Sequence, residues 1–144
     1  KRKIIDDYAH HPSEVRETIK LAKLFINKKS PNTRLVVIFQ PHRYTRVEKF
    51  SSEFAKELSK ADVIILTNIY SAGEKNLNKI SSKIIANKIT KQNKLIFCFK
   101  DNFDVNKKFL KITEKNDFVL NMGAGDCHNL WHILNNQFEN CDIS

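Results

Sequence analysis

Near-continuous apolar runs recur at Leu35–Phe39 (LVVIF), Val63–Leu66 (VIIL), residues 95–99 (LIFCF) and Phe118–Met122 (FVLNM), each the length of one β-strand. Runs without polar alternation suit parallel strands covered on both faces. Residues 3–6, with Ile4 and Ile5, supply a fifth, shorter strand. Between the runs the apolar positions switch to a spacing of three to four. The sets are Val15, Ile19, Ala22 and Ile26; Val47, Phe50, Phe54 and Leu58; Leu77, Ile80, Ile84 and Ile85; Val105, Phe109 and Ile112; and Leu130, Leu134 and Phe138. Each marks one face of an amphipathic helix. The first helix is expected to open at Pro12, whose missing N–H costs nothing there, with Glu14 suiting the dipole. It should close near Lys28 and Lys29, ahead of Ser30 and Pro31. Strand and helix alternate throughout, so the expected fold is α/β: a Rossmann-like, doubly wound, mostly parallel sheet with helices on both faces.

Polar clusters follow four of the five expected strands: residues 6–14 (DDYAHHPSE), 39–46 (FQPHRYTR), 70–74 (YSAGE) and 123–126 (GAGD). All four would meet along one edge of the sheet, where open α/β sheets keep their ligand sites. Residues 6–14 crowd two carboxylates, a phenol and two imidazoles together, although an ordinary strand-to-helix loop also collects polar groups. A strand-end carboxylate that merely caps the backbone is a further alternative, above all for Asp6. In residues 39–46, Arg43 and Arg46 can share one side of a first helical turn. They could then hold a single carboxylate through paired hydrogen bonds that Lys cannot copy. The competing reading is two solvated surface arginines.

The segment after Thr67 is long for a compact domain, which usually signals a task. GAGD places two glycines ahead of a helix, so backbone N–H groups could face an anion, but the third glycine and downstream acid of a dinucleotide fingerprint are missing. His128 and His132 have the four-residue spacing of paired metal ligands without the adjacent Glu of a zinc-protease helix. They are read as helix surface or partial core, and no metal site is expected.

Composition narrows this picture. A chain of 144 residues fits one domain with a sizeable core. The formal charge of +9 would suit nucleic acid, yet only five of the 25 basic residues are Arg, and the lysines are scattered among Asn and Ile rather than clustered with aromatics. No nucleic-acid partner is expected. No stretch has the apolar length of a membrane span and no leader pattern is present, which makes the cytoplasm the expected location and excludes a membrane partner. Three cysteines, Cys98, Cys127 and Cys141, show neither disulfide-framework nor metal spacing, and Cys98 is expected in the core because it lies in an apolar run.

The residues DDYAHHPSE resemble the signature that opens the C-terminal domain of the Mur ligases, with the doubled Asp and doubled His of the alanine-adding branch. FQPHRYTR is similar to the next strand-end motif of that branch, and YSAGE and GAGD also fit, so the resemblance covers most of the chain. It implies a bacterial, ATP-dependent, amide-forming ligase that joins L-alanine to UDP-N-acetylmuramic acid through an acyl phosphate during peptidoglycan synthesis. It further implies that Arg43 and Arg46 hold the alanine carboxylate and that Tyr8 and His10 lie near its amino group, with His10 as the catalytic candidate. By the same resemblance His42 belongs to the alanine site and Asp7 reaches the ATP ribose.

A Mur ligase holds ATP through a glycine-rich phosphate loop, and no such pattern occurs here. Residues 1–144 are therefore expected to form the single C-terminal, amino-acid-binding domain of a three-domain enzyme. The UDP-binding domain and the central domain holding ATP and Mg2+ would lie outside this chain, and the chain alone would be inactive. Three alternatives stay open: a related ligase that recycles murein peptides, a stand-alone nucleotide-binding α/β module, and a basic nucleic-acid binder.

Overall fold

In the computed structural model residues 3–90 and 94–143 are described, with residues 138–143 through their backbone only. The chain runs β1 (Lys3–Asp7), α1 (Pro12–Lys29), β2 (Leu35–Phe39), α2 (Tyr44–Leu58), β3 (Val63–Leu66), α3 (Lys83–Ala86), β4 (Leu95–Cys98), α4 (Asn102–Ile112), β5 (Phe118–Met122) and α5 (Cys127–Ile143). The five strands form one parallel sheet in the order β1-β5-β2-β3-β4. Asp7 and Phe39 both pair with Met122, and Phe39 also pairs with Leu66, so these strands end level with one another. The loops after them consequently emerge along one line.

Side-chain alternation divides the core between the two faces of the sheet. Leu35, Val37 and Phe39 pack with the stripe Val15, Ile19, Ala22 and Ile26 of α1 and with Val47, Phe54 and Leu58 of α2. Val36 and Ile38 point the other way, onto Val105 and Phe109 of α4 and Leu130 and Leu134 of α5. Each fully buried Ile, Leu or Phe in these layers contributes roughly 1.5–3 kcal/mol of transfer free energy. The loop after β5 leads to the α4/α5 face, whereas the loops after its neighbours β1 and β2 lead to the opposite face. Such a reversal is the kind of switch point at which open α/β sheets place their ligand crevice.

Two expectations need correction. The helix expected from Leu77 through Ile85 shrinks to Lys83–Ala86, and Leu77 is 83% exposed. The Asn76 side chain accepts from the Ile80 N–H and donates to the Ile80 carbonyl, both at 2.8 Å, which offers the backbone an alternative to helical bonding. Lys79, at φ 51°, completes that non-helical loop. Cys98, expected in the core, is exposed because β4 is an edge strand whose outer positions, Leu95 and Cys98, lie open. Phe138, expected on the inner face of α5, lies outside the described side chains.

Candidate functional site

At the end of β1 the chain turns sharply into α1. Asp7 Oδ1 accepts from the Ala9 N–H at 2.8 Å and from the Thr18 hydroxyl at 3.3 Å. Backbone capping, the alternative weighed for Asp6, is thus performed by Asp7. Asp6 instead points to the α5 face, where it accepts from Asn121 Nδ2 at 3.0 Å and contacts His128 Nδ1. The His10 ring sits with Nδ1 3.0 Å from the Tyr8 carbonyl oxygen. A carbonyl can only accept, so Nδ1 carries a proton, and in the neutral ring the lone pair is on Nε2. The His11 N–H donates to Glu14 Oε1 at 2.9 Å, which is the leading reason that the Glu14 carboxyl is held below its ordinary range.

The turn after β2 is built differently. Arg43, the N-cap of α2, has φ 70° and ψ 133°, a region that L side chains rarely occupy. Neighbouring bonds hold it there: the Arg43 N–H donates to the Tyr70 carbonyl and the Tyr70 N–H to the Pro41 carbonyl, both at 2.8 Å. Glu74 then receives the Thr45 N–H at 3.1 Å and the Thr45 hydroxyl at 2.6 Å, capping α2 from a separate loop. Those bonds from Thr45 lower the Glu74 pKa. The task of the long YSAGE segment is therefore to hold the strained turn that presents Arg43. Strain of this kind, about 1–3 kcal/mol, persists where the surroundings over-determine the backbone, and it clusters at functional sites.

Arg43 is exposed, and its guanidinium makes no hydrogen bond among the described residues. Arg46 is better anchored, with Nη1 3.1 Å from His42 Nδ1 and 3.4 Å from the His42 carbonyl. Because the guanidinium can only donate, His42 accepts at Nδ1 and carries its proton on Nε2. Partial burial, reinforced by Arg46, His10 and Arg43, pushes the His42 pKa below its ordinary value. His11 shifts the same way, through burial first and then Arg46 and His10. The His10 and His42 rings lie 5.8 Å apart, so the two long motifs meet side chain to side chain. Tyr8, 70% exposed, stands edge-on to His10 at 5.5 Å.

The GAGD turn after β5 fastens this edge together. Gln40, fully buried, donates to Asp126 Oδ1 at 2.5 Å and accepts from the Cys127 N–H at 3.0 Å. The Gly123 N–H donates to the Asp7 carbonyl at 3.1 Å. A Cβ on Gly125 would lie 2.5 Å from Tyr70 Cγ, so the ring packs where only glycine leaves room. The N–H of Gly123 and the first N–H of α5 are thus spent on the protein itself, and the anion cradle suggested by the two glycines is correspondingly reduced. The Cys127 thiol, pushed up to about 12 by burial and then by Asp6 and Asp126, is inert at neutral pH.

Of the expected site residues, His10, His42 and Arg46 are brought into contact, Tyr8 and Arg43 flank them at the surface, and Asp7 lies at the base of the same loop. Three supporting residues were not assigned roles from sequence: Gln40, Tyr70 and Glu74. The long polar loop after β3 and the fit of YSAGE to the family resemblance are the signals for the last two. Among the described residues no group of three or more His, Cys, Asp or Glu is placed to hold a metal ion, and no helix is long and apolar enough to cross a membrane.

Residues 1–125 match the sequence model of the family described as "Mur ligase, glutamate ligase domain". The chain is 60% identical over 141 residues to a UDP-N-acetylmuramate--L-alanine ligase of Prochlorococcus marinus subsp. pastoris, covering 94% of this chain and 30% of that protein. It is 47% identical over 132 residues to a ligase of the same name from another Prochlorococcus marinus strain, covering 87% of this chain and 28% of the relative. The chain therefore spans about 30% of the length of the curated relatives it matches. Among solved structures it resembles a murein peptide ligase from Psychrobacter arcticus with a TM-score of 0.71 and 20% identity, over 95% of this chain and 28% of that one. At that identity the likeness speaks for the fold alone.

Proposed function

The chain belongs to the Mur ligase family, as its glutamate ligase domain, and on that footing we propose that it is the amino-acid-binding part of an ATP-dependent ligase adding L-alanine to UDP-N-acetylmuramic acid in bacterial peptidoglycan synthesis. The relatives at 60% and 47% identity bear the name of that ligase. In this reading residues 1–144 are the C-terminal domain, and the domains that bind the UDP-sugar and the ATP triphosphate lie outside the chain. The muramic acid carboxylate takes the terminal phosphoryl group of ATP, the alanine amine attacks the resulting acyl phosphate, and phosphate leaves a tetrahedral intermediate.

The residues of this chain supply positioning for that sequence. Arg43 and Arg46 receive the alanine carboxylate, with Arg46 aimed by its bond to His42 Nδ1. The amine then falls beside Tyr8 and His10. Because His10 gives its Nδ1–H to the Tyr8 carbonyl, its Nε2 lone pair is available to take a proton from the attacking amine. Asp7 commits Oδ1 to Ala9 and Thr18, which leaves Oδ2 for an ATP ribose hydroxyl. Mg2+ bound with ATP would offset phosphate charge. The described residues include no three-ligand group for that ion, and the chain has no phosphate loop, so its ligands are assigned to the remainder of the enzyme. Cytoplasmic residence follows from these nucleotide substrates.

The contact between the two motifs, His10 against His42 with Arg46 bonded to His42, is the observation that carries the proposal. Its test is Arg43→Lys and Arg46→Lys in the full-length protein. Each change keeps the charge and loses the planar fork, so kcat/KM for alanine should fall about tenfold to a hundredfold, the equivalent of roughly 1.5–3 kcal/mol. The KM for ATP should hardly move. Alanine kinetics within about a factor of two for both variants, with thermal unfolding showing them folded, would reject the carboxylate clamp.

A further inference from the structure

On the α5 face of β1, away from the alanine residues, Asp6, His128 and His132 form a connected row. His128 Nδ1 contacts Asp6 Oδ2, and His128 Nε2 lies 3.2 Å from His132 Nε2. The row is braced from behind. Asp6 Oδ1 accepts from the buried Asn121 amide at 3.0 Å. The His128 ring lies parallel to Trp131, 6° apart in plane with centroids at 5.9 Å, and the Trp131 indole N–H donates to the Ile4 carbonyl at 3.3 Å.

We propose that His128 and His132 are the two protein ligands of a first-row divalent cation such as Zn2+, Ni2+ or Cu2+, with Asp6 fixing the tautomer of His128. Three features support this. The residues are one helical turn apart on α5, so both rings rise from the same face. Two nitrogens 3.2 Å apart would subtend about 100° at an ion roughly 2.1 Å from each, close to tetrahedral coordination. And a carboxylate on the far nitrogen of a ligating His is the usual second-layer support of such ions, because it keeps the proton on Nδ1 and leaves the Nε2 lone pair outward.

In the metal-free arrangement one Nε2 donates to the other. Binding needs only that His132 move its proton to Nδ1 and that a ring turn slightly about its Cβ–Cγ bond. Solvent would complete the coordination, since no third protein ligand stands nearby among the described residues. Two imidazoles select nitrogen-seeking ions, with Cu2+ ahead of Ni2+ and Zn2+, and leave Mg2+ aside.

The experiment titrates the full-length protein with Zn2+ or Ni2+ by calorimetry, in a tenfold excess of Mg2+ and without nucleotide. Expected are one site per chain, a rise in the unfolding temperature on loading, and at least a tenfold loss of affinity in His128→Ala and in His132→Ala. Asp6→Asn is the sharper variant. Its amide nitrogen would donate to His128 Nδ1, driving the proton to Nε2 and blocking the lone pair, so affinity should fall about tenfold to a hundredfold with the metal-free unfolding temperature little changed. Undiminished binding in the His128→Ala/His132→Ala double variant would put the ion elsewhere and overturn the proposal. So would the absence of Zn2+ and Ni2+ binding in the unaltered protein, or equal affinity for Asp6→Asn.

Discussion

The two ends of the sheet handle arginine in opposite ways. At the amino-terminal end, Arg34 lies in a closed arrangement: Nε reaches Asp117 Oδ1 at 2.9 Å and Nη2 reaches Asp117 Oδ2 at 2.7 Å, with the carboxylate only 3% exposed. The Asp117 hydrogen bonds are the main reason that the Arg34 pKa is raised further. At the carboxyl-terminal end Arg43 stands on a strained backbone with a guanidinium that makes no hydrogen bond among the described residues and has the Glu74 carboxylate within electrostatic reach, and Arg46 leans on a neutral imidazole that offers no countercharge. The same side chain serves architecture at one end and stands open at the other. Charge that the protein neutralises for itself holds the fold together, and the arginines left open are the ones proposed above to receive the alanine carboxylate.

The largest effect should come from breaking the closed end. Arg34→Gln leaves the Asp117 carboxylate buried without its bidentate partner, which typically costs about 3 kcal/mol. Urea unfolding should show that loss, while Arg46→Lys, which abandons no buried charge, should leave stability within about 0.5 kcal/mol. Equal destabilisation by the two would erase the distinction between the ends.

Next in size is Gly125→Ala. Its Cβ would sit 2.5 Å from Tyr70 Cγ and 2.8 Å from Gln40 Oε1, so the ring stacked on His42 must move. Overpacking of this kind costs about 1–3 kcal/mol. Because Tyr70 also holds the Arg43 turn, alanine kinetics should suffer with stability. Cys98→Ser on the exposed edge strand should change neither beyond about 0.5 kcal/mol.

Arg43→Gly should move stability the other way. Glycine accepts φ 70° without strain, so relief of the turn, offset in part by glycine's greater freedom when unfolded, leaves a gain of about 1 kcal/mol. The full-length protein should lose alanine turnover at the same time. A variant that unfolds at lower temperature than the parent would show that the turn stores no strain.

Much of the contrast could be read in the sequence, and the parts that could not share a cause. The central strands and the stripes of α1, α2 and α4 follow from periodicity because burial on both sides of a parallel sheet demands it. Arg43 and Arg46 stand out because two of the chain's five arginines fall inside one eight-residue motif. Hidden were the contacts between residues far apart in the chain: Arg34 with Asp117, Gln40 with Asp126, and Glu74 with Thr45. Local pattern also failed where a neighbour was missing. The run at 95–99 reads as a core strand, yet β4 has a partner on one side only, and Asn76 diverts the apolar positions at Leu77 and Ile80 from a helix that their spacing favours.

The smallest effect concerns protons at the open end. His42 is neutral because burial and then Arg46, His10 and Arg43 oppose its charge, so its folded pKa lies below the unfolded value of about 6.5. Between those two values the unfolded chain binds more protons than the folded one. The stability that comes from keeping His42 neutral is therefore fully present above about pH 6.5 and is lost as pH falls through the folded pKa. His11 contributes with the same sign. His42→Asn keeps an oxygen where Nδ1 accepts from Arg46 and removes the titration. Denaturant unfolding at pH 7.5 and 5.5 should show a smaller loss on acidification for this variant than for the parent. Parallel losses in parent and His42→Asn would mean that the open end carries no proton-linked strain, and the difference between the two ends would then rest on hydrogen bonding alone.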